Sequence, residues 1–168
     1  MEHTKTWKTT TPGQYLFTVN QTEIGRMTIE PGTIKRKAII VIGGEKYQLL
    51  QTGFWKTSVG ILDDKGNNIG KVYAEKWYAD AMRLDLYRET YKLVFRNNPL
   101  AEFAITQCDQ DVLAYGLKTG SGNTSLKITS ADPSANYLLD FILWYWFIPV
   151  AIENIISSDG IYETHANG

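Results

Sequence analysis

Residues 137–152 read Tyr-Leu-Leu-Asp-Phe-Ile-Leu-Trp-Tyr-Trp-Phe-Ile-Pro-Val-Ala-Ile, and Asp140 is the one charge among them. No polar stripe recurs at helical spacing. A helix formed here is therefore apolar on every side and has to be enclosed, by protein or by lipid. Lipid fits poorly. A spanning helix needs about 20 apolar residues, and the charge-free run from Phe141 to Ile152 is shorter than that. Pro149 interrupts it, Glu153 closes it, and no Lys or Arg lies nearer than Lys127. A membrane anchor carries basic flanks that set its orientation. The expectation is a helix enclosed by protein, with no membrane span.

The rest of the chain supplies the enclosure. Residues 15–19, 25–29, 34–42, 47–50, 55–62, 69–77, 82–87, 91–96, 101–106, 112–118 and 124–129 read as strands. Turn signals part them, such as Pro31-Gly32, Gly43-Gly44 and Asn97-Asn98-Pro99. The alternation is clearest where Met82, Leu84 and Leu86 interleave with Arg83, Asp85 and Tyr87, which is one apolar and one polar face. No helical segment interrupts the series, so neighbours in sequence pair antiparallel. A helix with its side chains is about 10–12 Å across. A barrel of about eight strands is filled by its own side chains, and a larger one has room inside. The predicted fold is mainly β: a closed antiparallel barrel of about eleven or twelve strands enclosing one apolar C-terminal helix. A β-sandwich with the helix on one side would leave half of the helix uncovered.

The helix is predicted over about 133–155, with Asp132 as N-cap and Pro133 in the first turn. Pro149 should kink or end it. Trp144, Trp146 and Phe147 are its structural core residues. Asp140, buried among them, needs a hydrogen-bonding or basic partner from the wall. Residues 1–13 are polar and Thr-rich and read as a flexible tail, 14–156 as the one domain, and 157–168 as a second tail.

Chemistry is scarce. Net charge is −1, which gives no pull toward nucleic acid. The two histidines, His3 and His165, fall in the tails, so a Ser/His/Asp or Cys/His arrangement has no base in the core. Cys108 is the one cysteine, which excludes an internal disulfide, and it reads as a buried small hydrophobe. Asp63-Asp64-Lys65-Gly66-Asn67 lacks the register of a calcium loop and reads as a turn. No catalytic residue, metal ligand or cofactor is expected. The N-terminus lacks the apolar core of a signal peptide, which implies the cytoplasm.

A strand-only chain ending in one strongly apolar helix resembles the tubby C-terminal-like superfamily, which includes phospholipid scramblases and the plant LURP-one-related proteins. The resemblance is carried by Tyr137-Leu138-Leu139-Asp140-Phe141-Ile142-Leu143. It is carried also by the hairpin Val59-Gly60-Ile61-Leu62-Asp63-Asp64-Lys65-Gly66-Asn67-Asn68-Ile69-Gly70. It implies a non-catalytic scaffold or interaction module, or alternatively a peripheral module for anionic phospholipid or phosphoinositide head groups. The scramblases' acidic calcium segment has no counterpart in residues 129–136, where Asp132 is the single carboxylate. Lys35-Arg36-Lys37 is the one run of three basic residues. Alternation puts Lys35 and Lys37 on one face. With Arg83 and Lys92 they make the candidate lipid-binding set, against the plainer reading of a solvated strand surface.

Overall fold

The computed structural model describes residues 3–30, 36–52, 58–75, 80–97, 100–132, 136–155 and 161–163. In chain order the strands are Lys5–Thr11 (β1), Gln14–Val19 (β2), Thr22–Ile29 (β3), Lys37–Ile42 (β4), Glu45–Thr52 (β5), Ser58–Leu62 (β6) and Asn68–Tyr73 (β7). There follow Ala81–Leu86 (β8), Glu89–Asn97 (β9), Ala101–Gln107 (β10), Gln110–Gly120 (β11) and Asn123–Ser130 (β12). The helix Leu138–Asn154 (α1) and the short strand Ile161–Glu163 (β13) complete the chain. Each strand from β1 to β12 pairs antiparallel with its sequence neighbours. The result is a nearly closed antiparallel barrel. β13 pairs with the free edge of β1 and touches β12 across the remaining seam.

Period-two alternation explains the wall. Tyr15, Phe17 and Val19 of β2, and Leu84 and Leu86 of β8, point inward and are buried, while their neighbours face out. Several hairpins turn on paired left-handed residues: Asn20-Gln21, Gly43-Gly44, Cys108-Asp109 and Ser121-Gly122. This is the backbone that a two-residue turn between twisted strands requires. Cys108 therefore sits exposed at a turn, and the expectation of a buried thiol is corrected: the tight turn fixes its place.

Every residue from 138 to 145 is buried, so the first half of α1 is covered on all sides. Phe141 meets Trp7 and Phe17 at one side, while Phe147 meets Phe103 and Tyr115 at the other. Trp144 stacks on Trp7 with ring centres 4.8 Å apart and planes 7° from parallel. Each Leu, Ile or Phe so buried contributes about 1.5–3 kcal/mol. Among the described residues, no helix is long and apolar enough to cross a membrane.

Two further expectations are corrected. Lys5–Thr11 is a strand, because Lys5 and Trp7 alternate inward and are buried, with Trp7 fully so. Its threonines, polar in composition, are β-branched and suit a strand. Second, α1 starts at Leu138, not in the first turn after Asp132. Asn136 does the capping: its side-chain carbonyl accepts from the Leu138 N–H at 3.1 Å and its backbone carbonyl from Leu139 at 3.1 Å. Pro133 lies outside the described residues. Pro149 lies inside the helix, which continues to Asn154, close to the expected end near 155. An interior proline costs about 3 kcal/mol, and burial of Ile148, Ala151 and Ile155 around it offsets that.

Candidate functional site

The most organised polar group lies inside the barrel. β1 delivers Lys5, β11 delivers Tyr115, β12 delivers Ser130 and the first turn of α1 delivers Asp140. The Lys5 ammonium donates to both carboxylate oxygens of Asp140, at 2.9 and 3.1 Å, and to the Ser130 hydroxyl at 2.7 Å. The Tyr115 hydroxyl donates to Asp140 at 2.8 Å and accepts from the Trp7 indole N–H at 2.8 Å. Lys5 is 1% exposed and Asp140 2%. Burial pushes the Asp140 carboxyl above the ordinary value, and the Lys5 charge and the Tyr115 hydroxyl pull it back part of the way. Burial, reinforced by the Asp140 charge, raises the Tyr115 phenol well above its usual value.

These side chains hold one another, and solvent does not reach them. A carboxylate, an amine and a phenol so sealed have no access to an outside substrate. Their task is to fix the N-terminal strand, two wall strands and the helix to one point. Lys5, Trp7, Tyr115 and Ser130 are all missing from the site expected from sequence. The one signal that points to them is the spacing of Lys5 and Trp7, two residues apart and hence on one face of a strand.

The exterior candidates are dispersed. Lys35 lies outside the described residues. Lys37, on β4, is 3.7 Å from Glu30. Arg83 pairs with Glu75 at 2.9 Å and Asp85 at 3.2 Å. Lys92 stands 3.9 Å from Asp109. Arg83 and Lys92 are brought together, being direct partners in the β8–β9 ladder, and they line a surface cleft of about 390 Å³ with Glu75, Met82, Thr90 and Tyr91. Lys37 is not brought to them, since β5, β6 and β7 intervene in the sheet. Within α1, Trp144 and Phe147 are fully buried, Trp146 is partly buried, and the Trp146 indole N–H has no hydrogen-bond partner among the described residues. Asp132 is exposed, before the helix. Among the described residues no three His, Cys, Asp or Glu side chains converge as a metal-binding group.

No family model, curated protein or solved structure matches the chain.

Proposed function

We propose that this domain is a non-catalytic, tubby-like scaffold or interaction module that works through its outer surface. One observation carries the reading: the helix occupies the interior that a barrel of this size would otherwise offer to a ligand, with residues 138–145 all buried. Inside it, Lys5, Asp140, Tyr115 and Ser130 hold one another. Binding therefore falls to the outside of the wall and to its edges. The test is a dye that fluoresces in apolar cavities, added to the native protein. The dye stays dark for a filled barrel; saturable binding to the folded state would overturn the proposal.

The second reading is peripheral binding of anionic lipid head groups. It is supported by the Arg83–Lys92 juxtaposition beside the cleft. Against it, each described basic candidate already faces a carboxylate. Near an anionic surface each free basic residue is worth about 1 kcal/mol. Co-sedimentation with phosphatidylserine or phosphoinositide vesicles decides. If this reading holds, binding at low salt falls with Arg83→Glu/Lys92→Glu and with Lys35→Glu/Lys37→Glu. No sedimentation, or sedimentation indifferent to both double substitutions, leaves the scaffold reading.

A further inference from the structure

We propose that the Lys5 amine and the Asp140 carboxyl condense inside the folded barrel, joining β1 to α1 by a side-chain amide. The inference goes beyond the interaction-module reading, which concerns the outer surface, and does not rest on it.

The interior polar side chains are sealed from an outside substrate, but not from one another. Lys5 Nζ lies 2.9 Å from Asp140 Oδ2 and 3.1 Å from Oδ1. Triangulated from both oxygens, it is within about 3.4 Å of the carboxyl carbon, inside the roughly 3–3.5 Å of two atoms poised to react. Each partner is held by a regular element, Lys5 by β1 and Asp140 by the first turn of α1. Well-oriented groups of this kind react as if at an effective concentration of about 10⁵–10⁸ M.

Ordinary ion pairs do not condense, because water keeps both groups charged; Lys37 and Glu30, 3.7 Å apart at the surface, are such a pair. Lys5 and Asp140 are both buried, and the Tyr137 ring covers the ammonium with its centre 5.8 Å away. Burial penalises the charged form of each group. It therefore draws the pair toward a neutral amine and a carboxylic acid, which are the forms that react. The proton for that exchange crosses the hydrogen bond from Nζ to Oδ2.

The lone pair of Nζ then attacks Cγ. As the N–C bond forms, negative charge develops on Oδ1, to which the Tyr115 hydroxyl donates at 2.8 Å. The Trp7 indole N–H donates to that same hydroxyl oxygen and keeps its proton turned toward Oδ1. Nζ passes a second proton to Oδ2, the Cγ–Oδ2 bond breaks with its electron pair on oxygen, and water leaves. One ammonium and one carboxylate become one amide and one water, with no oxidant or co-reactant. The product suits its surroundings. Its carbonyl oxygen keeps Tyr115 as donor, its N–H faces the Ser130 hydroxyl that Nζ already meets at 2.7 Å, and no charge stays buried. Condensation waits on a proton transfer that the ion pair resists, so it is slow beside folding. Freshly folded chain carries the ion pair and stored chain the amide, and unfolding measurements on the pair belong to the first state.

The test is the intact mass of the full chain under denaturing conditions, taken just after cell-free synthesis and again after a fortnight of storage. Wild type is expected to become lighter by one water. No Lys or Arg follows Lys127, so trypsin leaves Asp140 in the peptide 128–168. The stored protein should yield that peptide joined to residues 1–8, with no cleavage after Lys5. Lys5→Met keeps its full mass. Tyr115→Phe keeps the ring but not the donor and slows the water loss about a hundredfold, while near-ultraviolet circular dichroism reports that its fold is intact. Wild type at full mass after storage would overturn the proposal. So would water loss that persists in Lys5→Met or in chain held in urea, or an unchanged rate in Tyr115→Phe. If a variant does not fold, the wild-type mass and the joined peptide decide by themselves. The dye and vesicle measurements read the outer surface and the cavity, so the module reading stands or falls on them whether or not the amide forms.

Discussion

Replacing Asp140 by Ala removes the acceptor for two donors at once. Among the described residues the Lys5 ammonium keeps the Ser130 hydroxyl as its hydrogen-bond partner, and the Tyr115 hydroxyl loses its acceptor. Removing one partner of a buried pair costs about 3–5 kcal/mol, because it strands the other charge. The penalty of Asp140→Ala at pH 7 should therefore be about 3–5 kcal/mol. Urea unfolding of wild type and variant reads this directly. A penalty below about 1 kcal/mol means that no charge is stranded. That result refutes the buried pair as the organising contact.

Lys5→Met combined with Asp140→Leu removes both charges and keeps the volume, so thermal melting should recover most of the loss seen in either single variant. Gly25→Ala should cost about 1–3 kcal/mol by chemical denaturation, since the new Cβ meets the Val41 carbonyl and lies 2.9 Å from Phe141 of the helix; an unchanged midpoint would show that the helix does not press on β3. Trp7→Ala should cost about 3–5 kcal/mol, as it empties a fully buried site between Phe17 and Trp144. In alkali, Tyr115 keeps in the fold a proton that the unfolded chain releases near pH 10. Its folded pKa is raised, so its contribution is intact below pH of about 10 and is lost as pH climbs toward the raised value. Urea midpoints should fall across that window, less steeply in Tyr115→Phe.

The apolar helix and the meander were legible because both announce themselves by period. Asp140 stood out as a carboxylate in an otherwise charge-free stretch. β1 was hidden because one large residue, Trp7, among threonines and lysines does not make a visible alternation. Its inward Lys5 reads as a surface charge until the helix brings the carboxylate that neutralises it. The helix start was misplaced for a related reason: Asp132-Pro133 is a strong local signal, yet the nearer Asn136 caps the point where the apolar run begins. The exterior set failed to gather because sequence shows which residues face outward but not which outward faces adjoin. β8 and β9 form a hairpin and so unite Arg83 with Lys92, while β4 lies several strands away.

The pairing of Lys5 with Asp140 joins residues 135 positions apart. At a synthesis rate of about 5–20 residues per second, roughly 7–27 s separate their emergence from the ribosome. Through that interval the hairpins form by local pairing, but the concave side of the growing sheet has nothing to cover it, because the plug follows all twelve wall strands. The nascent chain is thus a half-built vessel with an apolar lining and two raw edges, the state in which strands most readily join the wrong neighbour. Closure has to follow synthesis of the helix, which then enters, and its buried carboxylate, Asp140, draws the first strand shut.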